Sequence, residues 1–113
     1  MSRQRYYFSI ADFAAARGKD PDLAFEGRSP DALADALQHA LRTPDLFERW
    51  RLKQEDPDKV DKSLAAVDAQ AEVEAAQADL KVDMQVSTDL PMRVLRQRLE
   101  WLIGNHWRLH DVR

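Results

Sequence analysis

The sequence predicts an α+β domain, because two alternating apolar runs fit a β-hairpin and two long segments carry helix start signals followed by apolar stripes at helical spacing. The alternating runs weigh most. Residues 67–75 set Val67, Ala69, Ala71, Val73 and Ala75 against Asp68, Gln70, Glu72 and Glu74; residues 78–86 set Ala78, Leu80, Val82, Met84 and Val86 against Asp79, Lys81, Asp83 and Gln85. A strand puts each apolar set on one face, whereas a helix scatters it around the circumference. The apolar positions are odd in the first run and even in the second. A turn at Ala76-Gln77 therefore pairs 75 with 78, 73 with 80, 71 with 82, 69 with 84 and 67 with 86, apolar against apolar throughout. Ala-Gln is not a favoured two-residue turn, and a four-residue loop keeps the same register.

The other elements follow in chain order. Arg5 to Ile10 alternates Tyr6, Phe8 and Ile10 with Arg5, Tyr7 and Ser9, which predicts a first strand. Asp12 offers an N-cap to a single helical turn that Gly18 can end in a left-handed conformation. Residues 19–28, with Pro21 and Gly27, read as a loop in which Leu23 and Phe25 form a short extra strand or pin the loop to the core. Ser29 is an N-cap, Pro30 suits the first helical position and Asp31 complements the first-turn dipole; Leu33, Leu37, Ala40 and Leu41 form the apolar stripe. Thr43-Pro44-Asp45 repeats the start signal, so the helical region breaks near Pro44 and a second helix runs to about Gln54, burying Leu46, Phe47 and Trp50. Glu55 to Lys62 is a solvated connection. Asp89 or Leu90 opens the last helix, with Pro91 in its first turn, core positions Met92, Leu95, Leu99, Leu102 and Ile103, and a stop at Gly104-Asn105. His106 to Arg113 alternates as a final strand with Trp107 and Leu109 inward.

The resulting order is β-α-β-β-α-β. Right-handed crossovers then give a four-stranded antiparallel sheet with the helices on one face, the ferredoxin-like arrangement, as one domain over residues 1–113. Its edge strands are the second and the fourth. That arrangement hosts many unrelated functions, so function has to be read from sites.

The 113 residues include 44% hydrophobic and 33% charged side chains, an ordinary globular balance. The absence of cysteine excludes disulfides, thiolate-bound zinc, iron–sulfur ligation and thiol nucleophiles. No stretch has the length of a secretory signal's apolar region or of a membrane span, and a cytoplasmic location is expected. The net charge of −3 speaks against a nucleic-acid binder. Charge is also unevenly spread: residues 29–86 hold 13 acidic and 7 basic side chains, and residues 87–113 hold 3 acidic and 5 basic.

Among chemistry-bearing motifs there is no nucleophile elbow, no phosphate-cradling glycine loop and no histidine pair on a helix, so a non-enzymatic protein without cofactor is expected. His106 and His110, four residues apart on a strand, span about 13 Å and do not share a metal ion. On the last helix Val94 and Trp101 lie on a flank outside the main stripe, with Arg98 placed to stack on the indole; this trio is the expected partner-binding site, for another protein or a second copy of the chain. The alternative is single-stranded nucleic acid bound on the sheet face through Arg5, Tyr7 and Arg108, weakened by the single aromatic and by neighbouring carboxylates. A small-ligand regulatory domain, binding between the sheet and loop 19–28, is the third reading.

Overall fold

A computed structural model describes residues 3–113; the first two residues of the expected domain lie outside it. The chain forms β1 (Gln4–Ile10), α1 (Pro30–Arg42), α2 (Asp45–Arg51), β2 (Glu72–Ala78), β3 (Lys81–Thr88), α3 (Met92–Ile103) and β4 (Arg108–Val112), with short 3-10 turns between them. The four strands make one open sheet in the order β2-β3-β1-β4, every neighbouring pair antiparallel. The extents of 43 × 35 × 19 Å fit one sheet and one layer of helices, because a third layer needs about 10 Å more. No helix among the described residues is long and apolar enough to cross a membrane.

Alternation dictates which side of the sheet is covered. Tyr6, Phe8 and Ile10 of β1 and Val82, Met84 and Val86 of β3 are buried against Leu33, Leu37 and Leu41 of α1 and Leu95, Leu99 and Ile103 of α3. Full burial of each such side chain contributes about 1.5–3 kcal/mol against leaving it in water. The start of α1 is as its residues dictate: the Ser29 hydroxyl accepts a hydrogen bond from the Ala32 amide at 3.1 Å, and Pro30 occupies the first turn. The chain breaks at Thr43, whose backbone is extended, and α2 starts after Pro44. Gly104 ends α3 with φ 68, a left-handed conformation that costs glycine nothing.

The hairpin departs from its expected register. The turn lies at Asp79-Leu80 rather than Ala76-Gln77, and Val73 faces Val86, Ala75 faces Met84 and Gln77 faces Val82. The odd-with-even pairing survives, and every contact moves by six in summed residue number. Two physical causes fix the new register. Asp79 adopts φ 58, which aspartate tolerates better than alanine or glutamine, so the tight turn forms there and leaves Leu80 82% exposed. At the other end Asp68 is buried, not on an exposed strand face. Its carboxylate accepts hydrogen bonds from the Thr88 hydroxyl (2.8 Å) and the Gln70 amide (2.9 Å), with the Asp89 amide and Arg3 at 3.3 Å; its own amide donates to the Leu41 carbonyl. Those bonds bend the chain at residues 69–70 and delay β2 until Glu72. Burial alone would raise the Asp68 pKa, but the hydrogen bonds and the Arg3 charge outweigh it and hold the carboxyl below its ordinary value.

Three smaller corrections have equally local causes. Gly18 does not take a left-handed conformation. It is needed because its amide donates to the Leu102 carbonyl and a Cβ would overlap the Trp101 carbonyl oxygen. Leu23 and Phe25 form no strand; both are buried, and the Phe25 amide donates to Leu102, which pins loop 19–28 to the end of α3. The last strand starts at Arg108 and carries a bulge opposite the Tyr7–Phe8 step, so the simple alternation from His106 does not hold.

Candidate functional site

Of the expected partner trio, Val94 and Arg98 are fully buried and Trp101 is 7% exposed. Helical spacing does bring the three together, and the Arg98 guanidinium stacks over the Trp101 ring at 5.3 Å. Arg98 and Trp101 face the protein's own α2, however, because Phe47 packs on Trp101 (6.4 Å between centroids) and lies 6.0 Å from the Arg98 guanidinium. Arg98 donates to the Ala40 carbonyl of α1 and the Ala66 carbonyl before β2, and its Nη1 is buried without a hydrogen-bond partner among the described residues. No carboxylate pairs with it, so burial lowers its pKa to about 10. Arg98 is thus a clamp between α1, α3 and the segment that precedes β2.

What remains exposed of Trp101 opens onto a groove. Trp50, at the end of α2, stacks on Trp101 with ring centroids 5.1 Å apart and planes inclined at 28°. The pair lines an open cleft of about 500 Å³, together with Leu23 from the 19–28 loop, Gln54 beyond α2, and Gln97 and Glu100 on the outer side of α3. The loop wall is stiffened by Lys53, whose ammonium bridges Asp20 and Asp22 at 2.7 Å. These ammonium bonds hold the Asp20 carboxyl below its ordinary value and raise Lys53. An aromatic surface rimmed by the amides of Gln54, Gln97 and Asn105 and by the charged Lys19, Asp20 and Glu100 can receive an apolar side chain and hydrogen-bond the polar groups around it.

The alternative residues lie on the other side of the molecule. Arg5 and Tyr7 alternate outward from β1, and Arg108 sits opposite Ser9 at the start of β4, so all three share the sheet face turned away from the helices. Register puts Glu72, Glu74, Asp83 and Asp111 on the same face. The Tyr7 ring is already covered by the Arg113 guanidinium at 5.3 Å, whose charge Asp111 engages at 2.7 Å. A nucleic-acid strand on this face meets four carboxylates and one occupied aromatic. His39 is engaged by Asp45 at 2.8 Å, and among the described residues no group of three histidines or carboxylates gathers as metal ligands do.

Sequence reasoning missed Trp50 as a site residue, having placed it simply on the buried face of its helix. No local signal marks the groove, because its walls come from a loop and two helices distant in sequence. Comparison of the chain with protein-family models, with curated proteins and with solved structures found no match.

Proposed function

We propose that this chain is a non-enzymatic protein-binding module of the cytoplasm that takes an apolar side chain of a partner protein into the groove over Trp50 and Trp101. The observation that carries this reading is the stacked tryptophan pair, with Trp50 half-buried and Trp101 showing only its edge, that walls an open cleft rimmed by amides and charged side chains. Tryptophan is the residue type most enriched at the energetic centres of protein interfaces, and stacked indoles present a large rigid area at little entropic cost. The fold reading that accompanies the proposal is the ferredoxin-like one. Its support is the interleaving of the strands: β1 and β2, joined through α1 and α2, are parallel with β3 between them, and β3 and β4, joined through α3, are parallel with β1 between them.

A displayed peptide library, screened against the folded protein and followed by tryptophan fluorescence, tests the function. Peptides with an apolar anchor are expected to shift the emission and to lose at least about tenfold in affinity against Gln97→Arg, which places a charged side chain across the groove. Light scattering on the same samples separates a foreign partner from a second copy. Salt-titrated binding of short RNA and DNA is expected to give no signal. Nucleic-acid binding lost on Arg5→Ala, with no peptide selected, would replace this reading with the alternative.

A further inference from the structure

We propose that the cleft at the end of the sheet, where β1 leaves and β3 and β4 begin, binds the phosphate group of a small ligand. This site is separate from the tryptophan groove and does not rest on it. The cleft has a volume of about 470 Å³, and its lining includes Ser9, Lys81, His106, Trp107, Arg108 and His110, with Asp12 as the one carboxylate in the lining and Asp83, opposite Ser9 in the ladder, beside it. In a chain of net charge −3 this is a local concentration of cationic and hydrogen-bond-donating groups.

The topology assembles it. Ser9 lies near the end of β1, Lys81 is the first residue of β3, Arg108 is the first residue of β4, and His106 comes from the connection after Gly104. The bulge in β4 leaves His110 without a residue opposite it in the ladder, and its Nε2 meets the Ser9 hydroxyl at 2.6 Å. That bond works in either proton arrangement. With Nε2 unprotonated His110 accepts from the hydroxyl; with a hydrogen on Nε2 it donates to it, which frees the Ser9 hydrogen for a ligand oxygen. Neither Arg108 nor either histidine takes part in an ion pair among the described residues. Lys81 has only Asp83, at 3.5 Å with both side chains about half exposed, a contact too weakly held to keep the ammonium from a dianion.

The donor types select the ligand chemistry. A guanidinium fork, an ammonium, a hydroxyl and imidazoles, from three strands and a loop, line one cleft. A tetrahedral dianion uses several such donors, whereas a planar carboxylate is satisfied by one bidentate arginine. The half-buried Trp107, held by its indole N–H to the Gly104 carbonyl at 3.2 Å, gives the cleft an apolar wall for whatever carries the phosphate.

Isothermal titration and amide NMR at constant ionic strength test this, with inorganic phosphate and phenyl phosphate as probes and chloride as the control anion. Phosphate is expected to shift the amide signals of Ser9, His106 and His110. Affinity should fall at least about tenfold in Arg108→Ala, the loss of one charge-assisted hydrogen bond, and remain unchanged in the distant Arg93→Ala. Both Arg108 and Arg93 are exposed, so these variants keep the fold. Tighter binding of phenyl phosphate than of phosphate identifies a phosphoryl group on a larger ligand, and equal binding identifies the free ion. Equal affinity in wild type and Arg108→Ala, or shifts confined to other residues, overturns the proposal.

Discussion

Removing the Asp68 carboxylate, in the turn before β2, should be the most damaging polar substitution around the sheet. The side chain is 7% exposed and receives four donors, two of them close: the Thr88 hydroxyl at 2.8 Å and the Gln70 amide at 2.9 Å. A hydrogen bond to a charged acceptor is worth about 1.5–3 kcal/mol net. The Asp89 amide and Arg3, both at 3.3 Å, add less, and the Arg3 pair is discounted to below about 1 kcal/mol because that arginine reaches solvent. Thr88 is fully buried, and after Asp68→Ala its hydroxyl hydrogen has no acceptor there, although its oxygen still accepts from the Leu90 amide. The expected loss is about 3–4 kcal/mol, which lowers the melting temperature by about 12–17 °C at the usual unfolding entropy per residue. Asp68→Asn, which keeps one acceptor oxygen, should lose about half as much. Urea denaturation of the three proteins measures it. The pH dependence follows from the lowered folded-state pKa: the Asp68 contribution is complete above the unfolded carboxylate value near about 3.9 and is lost as pH falls through the folded value. The acid limb of the stability profile should therefore be shallower in Asp68→Ala. A loss below about 1 kcal/mol with an unchanged acid limb would refute the role given to this residue in fixing β2.

Substitutions at three further positions test the packing and the turn. Gly18→Ala should cost about 2 kcal/mol or more in denaturant unfolding, because the added methyl meets the Trp101 carbonyl and not a mobile side chain. Asp79→Val should destabilise by about 1–2 kcal/mol, since a β-branched residue resists positive φ, while Asp79→Gly should be neutral or slightly stabilising; cross-strand NOEs between Val73 and Val86 report whether the register holds. Arg98→Met should change stability by less than about 1.5 kcal/mol, because relief of an unpaired buried charge offsets two lost bonds to carbonyls, whereas Arg98→Ala, which also leaves a cavity beside Phe47, should cost about 3 kcal/mol by calorimetry.

How much was legible divides along the range of the causes. The α1 start at Ser29-Pro30, the break at Pro44, the α3 stop at Gly104 and the alternating faces of β1 and β3 depend on residues a few positions apart, and the sequence shows them. Alternation fixed the parity of the hairpin but not its register, since an even slip keeps apolar residues facing one another. The register was chosen by Asp79 in the turn and by Asp68 reaching Thr88 twenty residues on, a contact no periodicity announces.

The residues expected to bind a partner are brought together on α3 but are buried there. The spacing of Val94, Arg98 and Trp101 does put them on one flank of α3, and the cation–π contact is present. The inference from flank to surface fails because a helix has an exposed flank only where no second element covers it. The short α2, following the break at Pro44, lays Phe47 and Trp50 across that flank. Covering it has two consequences. It isolates the Arg98 charge from carboxylates, so the residue expected to contact a partner instead ties the core together through two carbonyls. It also moves the proposed recognition surface outward by one layer, from Trp101 to the Trp50–Trp101 stack. A residue on the outer rim of that stack, such as Gln97, is therefore the place to perturb binding without unfolding the protein, whereas any change at Arg98 reads out as stability first.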